Sequence, residues 1–77
     1  MPTTERRKRL EMEVYRRLES KGIGNGKRTP ETYKVYLTIR HIDRAVNGTV
    51  FNHARLSKEE YNRIMGYVDL LFPEEGS

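Results

Sequence analysis

No cysteine occurs in this chain of 77 residues, so no disulfide can supplement its hydrophobic core. A chain of this length forms at most one domain, because domains cluster around ~100–150 residues. Leu, Ile, Val and Phe account for 17 of the 77 residues, just above the ~20% below which highly charged chains tend to be disordered. We therefore expect residues 1–77 to form a single small domain, with too little interior for an enzyme's cofactor pocket.

The charge is unevenly distributed along the chain, whose formal net charge is +4. Residues 1–30 contain nine Lys or Arg and four Asp or Glu, whereas residues 57–77 contain two and five. A basic first part and an acidic tail over residues 73–77 indicate either an anionic partner for the basic part or head-to-tail association between copies of the chain. No apolar run approaches a membrane span, and no apolar signal segment follows Met1. The sequence predicts a cytoplasmic protein without a membrane partner.

The pattern predicts a first helix over residues 4–21. Its apolar positions recur at four-residue spacing and are Leu10, Val14 and Leu18. Gly22 is suited to the left-handed position that follows a helix, and Ile23 would then fold back onto Leu18. The glycine-rich residues 22–28 predict a loop.

The segment after this loop fits two structures. Thr29-Pro30 is typical of a helix start and Asn47-Gly48 of a helix end. A helix would place one apolar stripe towards the core, formed by Val35, Ile39, Ile42 and Val46. Residues 33–39 also alternate as a strand does, and Asn47-Gly48 could be a hairpin turn towards residues 49–51. We favour the helix, because it accounts for more apolar positions and for both ends.

The third segment has the clearest helix signature. Ser57 and Glu60 form a capping box, with Leu56 placed to pack on Tyr61. One continuous apolar face follows, formed by Tyr61, Ile64, Met65, Val68, Leu71 and Phe72. Gly66 lies within this helix and indicates close packing against a neighbour. The prediction is a mostly α, three-helix domain, and the alternative is an α-β-β-α arrangement.

Basic residues supply the first functional hypothesis, which is nucleic-acid binding through phosphate contacts. Lys27 and Arg28 precede the second helix, whose free amides could hold a phosphate. The predicted contact residues are Arg6, Arg7, Lys8, Arg9, Arg16, Arg17, Lys27 and Arg28. Clustered Lys and Arg bind phosphates irrespective of base sequence, and no pattern suited to reading base edges occurs. The alternative is a solvated helix with ion pairs such as Glu13 with Arg17.

A second hypothesis is a regulator or inhibitor that docks on a larger protein. A helical second segment would expose a Tyr/Arg face opposite its core stripe, formed by Tyr33, Tyr36, Leu37, Arg40 and Arg44. Tyrosine and arginine are enriched in protein interfaces. We also expect a homodimer with Leu37 near its interface, because association is the remaining way to stabilise so small a core.

Residues for catalysis or metal binding are not grouped in this sequence. His41 and His53 have no cysteine and no acidic residue at ligand spacing. No Ser or Thr lies beside a histidine or in a nucleophile elbow. We expect neither enzymatic activity nor a cofactor or metal.

Overall fold

The computed structural model describes residues 3–48 and 55–74. Within these ranges the chain forms three α-helices, α1 (Thr3–Glu19), α2 (Pro30–Asn47) and α3 (Lys58–Leu71), and no strand. Each helix contacts the other two. The mostly α, three-helix prediction is confirmed. The strand alternative is wrong for residues 33–46, which are helical, and its second strand, residues 49–51, lies outside the described residues.

The end of α1 has the predicted geometry. Gly22 adopts a φ of 80°, in the left-handed region. The Ile23 amide donates to the Leu18 carbonyl at 3.0 Å, and the Gly22 amide donates to the Glu19 carbonyl at 2.9 Å. These two bonds define the Schellman motif, which satisfies carbonyls that the end of a helix leaves without partners.

The ends of α2 and the start of α3 also follow the local sequence signals. Thr29 caps α2, and Gly48 ends it with a φ of 67° and an amide that donates to the Arg44 carbonyl at 2.7 Å. Ser57 caps α3, because its Oγ accepts the Glu60 amide at 3.1 Å. Caps of this kind each stabilise a helix by about 1 kcal/mol.

All three helices and the approach to α3 contribute to the core. Its buried apolar residues are Leu10, Val14, Tyr15, Leu18, Tyr36, Ile39, Leu56, Ile64 and Val68. The predicted stripe of α1 is therefore confirmed. On α3, Ile64 and Val68 are buried, while Leu71 remains 54% exposed.

The side of α2 that faces the core differs from the prediction. Ile42 and Val46, predicted to be core residues, are 46% and 70% exposed. Polar residues occupy much of the buried side of this helix, which comprises Thr32, Tyr36, Ile39, Arg40 and Asp43. Burial of Asp43 is offset by Arg63 of α3, whose Nε lies 2.5 Å from Oδ1. Partners on another helix thus determine which side of α2 is buried.

Gly66 does not mark a close helix contact. It is exposed, and a Cβ at this position would meet no atom within 4 Å outside the local helix backbone. The prediction of close packing at Gly66 is therefore wrong.

Candidate anion-binding pocket and apolar groove

The arginines at the C-terminal end of α1 hold the end of α3. Arg17 is only 6% exposed, and its guanidinium donates to Asp69 Oδ1 at 2.7 Å and to the Phe72 carbonyl at 2.8 Å. Arg16 pairs with Glu13 at 2.7 Å and with Glu74. The structure therefore places Arg17 in the interior rather than on the surface that phosphate contact requires. Glu74 of the predicted acidic tail pairs with α1 of its own chain.

A buried carboxylate holds two further arginines that the sequence analysis assigned to phosphate contact. Glu11 is 6% exposed and lies 2.6 Å from Arg7 Nη1 and 3.1 Å from Arg28 Nε. It also accepts a 2.7 Å hydrogen bond from the Tyr15 hydroxyl. Burial, together with this carboxylate, raises the pKa of the Tyr15 hydroxyl well above its ordinary range. The Arg28 guanidinium stacks 4.0 Å above the Tyr33 ring. Arg28 thus joins the loop to α1, whereas the Arg7 pair lies within α1.

The amides at the start of α2 bind the chain itself. The Thr32 amide donates to Thr29 Oγ1 at 3.1 Å, and the Thr29 amide donates to Thr32 Oγ1 at 2.7 Å. The Thr32 hydroxyl also donates to the Lys27 carbonyl at 2.9 Å, while the Lys27 side chain is exposed. The capping box therefore occupies the Thr29 and Thr32 amides, which are not available to the predicted phosphate site.

A small pocket between α1 and α3 has a strongly basic lining. This basic pocket measures about 230 Å³ and is lined by Arg6, Arg9, Lys58, Tyr61 and Asn62. Three cations and two neutral hydrogen-bonding side chains line it, without a carboxylate. Arg6 donates to the Leu56 carbonyl at 2.8 Å, which joins it to the approach to α3. The basic pocket therefore has the charge and the donors that an oxyanion requires.

A larger hollow on the outer side of α1 has a different composition. It measures about 760 Å³ and is open to solvent. Its charged residues are Lys8, Arg9, Arg16, Glu5, Glu13 and Glu19. Equal numbers of cations and carboxylates leave this hollow without a preference for anions, although it is the larger of the two.

The predicted Tyr/Arg face of α2 is not exposed as a unit. Tyr36 and Arg40 are each 2% exposed, and Arg40 Nη1 donates to the Tyr36 hydroxyl at 3.2 Å. Burial is the main cause that raises the pKa of Tyr36. Tyr33 and Leu37 are half-buried, and Arg44 is exposed. The predicted exposure is thus wrong for Tyr36 and Arg40.

A second surface, which we call the α2–α3 groove, is apolar. It measures about 350 Å³, and its apolar lining residues are Val35, Ile39, Ile42, Leu71 and Phe72. Its other lining residues are Glu31, Lys34 and Thr38. The sequence pattern did not predict this groove, because Val35 and Ile42 were expected to lie in the core. One feature of the sequence does indicate it. Apolar residues cover more of the circumference of α2 than a single contact with the core can bury.

No known protein family, curated protein or solved structure matches this chain. Over residues 3–48 and 55–74, no helix is both long and apolar enough to cross a membrane. The same part of the chain contains no group of three His, Cys, Asp or Glu residues that could hold a metal ion. The basic pocket and the α2–α3 groove are the candidate functional surfaces of the described residues.

Proposed function

We propose that this domain binds nucleic acid through phosphate contacts centred on the basic pocket. One observation carries the proposal: Arg6, Arg9 and Lys58 line a single pocket with Tyr61 and Asn62, and no carboxylate lines it. Arginine, lysine, tyrosine and asparagine side chains are among the groups that contact phosphates in protein–DNA complexes.

The pocket's position on α3 adds to its basic character. Lys58 is the first residue of α3, and Tyr61 and Asn62 lie in the next turn. The N-terminus of a helix carries a partial positive charge, which favours an anion nearby. Glu60 lies in the first turn of α3 with Lys58. Its carboxylate lies 3.8 Å from Arg40 of α2 and is not part of the pocket lining.

Phosphate contact of this kind predicts affinity without sequence preference. Each cation that neutralises a phosphate releases counterions, so the affinity falls as the salt concentration rises. Lys8 is exposed on α1 next to Arg9, and Lys27 is exposed on the loop. These two lysines add positive charge elsewhere on the surface, while Arg7, Arg16, Arg17 and Arg28 make ion pairs within the chain.

The proposal is tested with a variant that carries both R9A and K58A. Arg6 is left in place because it donates to the Leu56 carbonyl. Binding to fluorescently labelled duplexes of two unrelated sequences is measured by anisotropy across a range of salt concentrations. We expect the variant to bind both duplexes at least about 10-fold more weakly, with a salt-dependence slope smaller by about 2.

The matched control carries K21A and R44A, which remove the same charge from exposed positions outside the basic pocket and the α2–α3 groove. We expect this control to lose much less affinity than the pocket variant. Equal losses in the two variants would show a general charge effect and would contradict the proposed site. Absence of salt-dependent binding by the unmodified protein would contradict the proposed function itself.

A further inference from the structure

The exposed apolar side chains of this domain are concentrated on two helices. Among the described residues, the large apolar side chains that are about half exposed or more are Met12, Ile42, Val46, Leu70 and Leu71. Four of the five belong to α2 and α3. Ile42 and Leu71 line the α2–α3 groove, and Val46 lies one turn beyond Ile42 on α2. Burying such surface is the main favourable contribution to most protein association.

We infer that the α2–α3 groove is the contact surface between two copies of this chain. A two-fold contact requires one surface that is complementary to itself. This face offers both parts of such a surface, because the recess between the two helices lies near the exposed side chain of Val46, one turn beyond Ile42 on α2. The inference places the interface on the flank of α2 that carries Val35 and Ile42, away from Leu37.

Charge favours a second copy on this face. The chain carries a net charge of +4, so two copies repel each other over most orientations. The charged residues that line the groove are Glu31 and Lys34, one of each sign. Contact through this face therefore brings together no excess of like charge, whereas contact through the basic pocket would.

The size of the domain limits the area that a contact between two copies can bury. Its extents are 31 × 23 × 22 Å, so no side projects more than about 700 Å², and a standard interface buries ~800 Å² of accessible surface on each partner. A stable dimer must therefore extend beyond the groove over much of that side. The basic pocket involves α1 and the first turns of α3, whereas the groove involves α2 and the end of α3. The dimer leaves both basic pockets accessible.

Sedimentation velocity over micromolar to millimolar protein concentrations tests this inference. The variants are I42E and V46E. Each places a charge at an exposed position, where we expect the folded monomer to tolerate it. The matched control is M12E, which makes the same change at a 53% exposed apolar position on α1. We expect the unmodified protein and M12E to sediment as dimers, and I42E and V46E to remain monomers with unchanged helical circular dichroism.

A second measurement uses the absence of cysteine from the chain. V46C and M12C each introduce one thiol, and its reaction rate with a maleimide reports its exposure. The rate for V46C should fall as the protein concentration enters the dimer range, and the rate for M12C should stay constant. An unmodified protein that remains monomeric at millimolar concentration, or an I42E variant that dimerises normally, would overturn the inference. Either result leaves the proposed phosphate binding untouched, because that is measured by its own variants.

Discussion

The two ends of α1 carry similar runs of basic residues but have different surroundings. At the C-terminal end, Arg16 and Arg17 meet carboxylates from Glu13, Asp69 and Glu74. At the N-terminal end, Arg6 and Arg9 share a pocket with Lys58 and no carboxylate. The local density of arginine is thus a poor guide to function. What distinguishes the two ends is which carboxylates the fold places beside their arginines.

We expect the same difference to separate stability from binding. Arg17 is buried and bonded to the end of α3, so its loss removes contacts of the folded state. Arg9 is exposed on the pocket surface, so we expect its loss to affect ligand binding rather than folding. Substitutions at the two ends of α1 test this division.

Replacing each arginine with methionine compares the two ends directly, because methionine retains an unbranched apolar chain. We expect R17M to lower the free energy of unfolding by about 1–3 kcal/mol, since it leaves the Phe72 carbonyl without its donor and breaks the pair with Asp69. We expect R9M to change it by less than about 0.5 kcal/mol. Urea denaturation followed by circular dichroism measures both. Equal destabilisation by the two variants would contradict the division.

Adding a carboxylate to the basic pocket should give the N-terminal end of α1 an acidic partner for its arginines, as the C-terminal end of α1 already has. N62D places an acidic group beside the pocket's cations, where it pairs with them and repels phosphate. We expect nucleic-acid affinity to fall about 10-fold, which corresponds to about 1.4 kcal/mol. The control is N25D, which makes the same charge change at an exposed loop position next to the mixed-charge hollow. If N25D weakens binding as much as N62D does, the pocket is not the phosphate site.

The smallest effect concerns Glu74 and acid pH. The hydrogen bond from Arg16 lowers the pKa of the Glu74 carboxyl below its ordinary value, and the charge of Arg16 adds to this. A lowered pKa means that the ion pair stabilises the fold above the ordinary pKa of glutamate, and that this contribution is lost as pH falls through the lowered value. The effect on stability is small, because the pair is exposed and screened by salt.

Carbon-detected NMR titration of the side-chain carboxyl groups measures this shift. The Glu74 carboxyl should titrate below the ordinary glutamate value, and R16M should return it towards that value. A Glu74 carboxyl that titrates identically in the two proteins would show that the ion pair is not formed in solution.

The helix ends could be predicted from the sequence because they depend on neighbouring residues. Gly22 with Ile23, and Thr29 with Pro30, place their partners within a few positions of one another, so the pattern contains the whole interaction. The buried side of α2 could not be predicted in this way. Asp43 is buried because Arg63, twenty residues later, supplies its partner, and hydropathy alone ranks aspartate as exposed.

The candidate site was predictable only in part, for the same reason. Arg6 and Arg9 were among the predicted phosphate contacts. Lys58, Tyr61 and Asn62 were missed, because the start of α3 is typical of an acidic helix cap and gives no sign of the α1 residues that pack beside it. A pocket between two helices depends on how the helices pack, and no local sequence motif predicts that packing.

The loop between α1 and α2 illustrates how a glycine-rich segment can be restrictive. Gly24 adopts a φ of 66°, and a Cβ at this position would lie 2.7 Å from the Thr32 methyl group, which belongs to a fully buried residue. Any L-amino acid there meets both an unfavourable backbone conformation and a steric clash. Composition alone would mark this loop as the segment most free to accept substitutions. Its geometry makes Gly24 a poor position to substitute, whereas Gly66, exposed on α3 with no atom near an added Cβ, accepts a side chain far more readily.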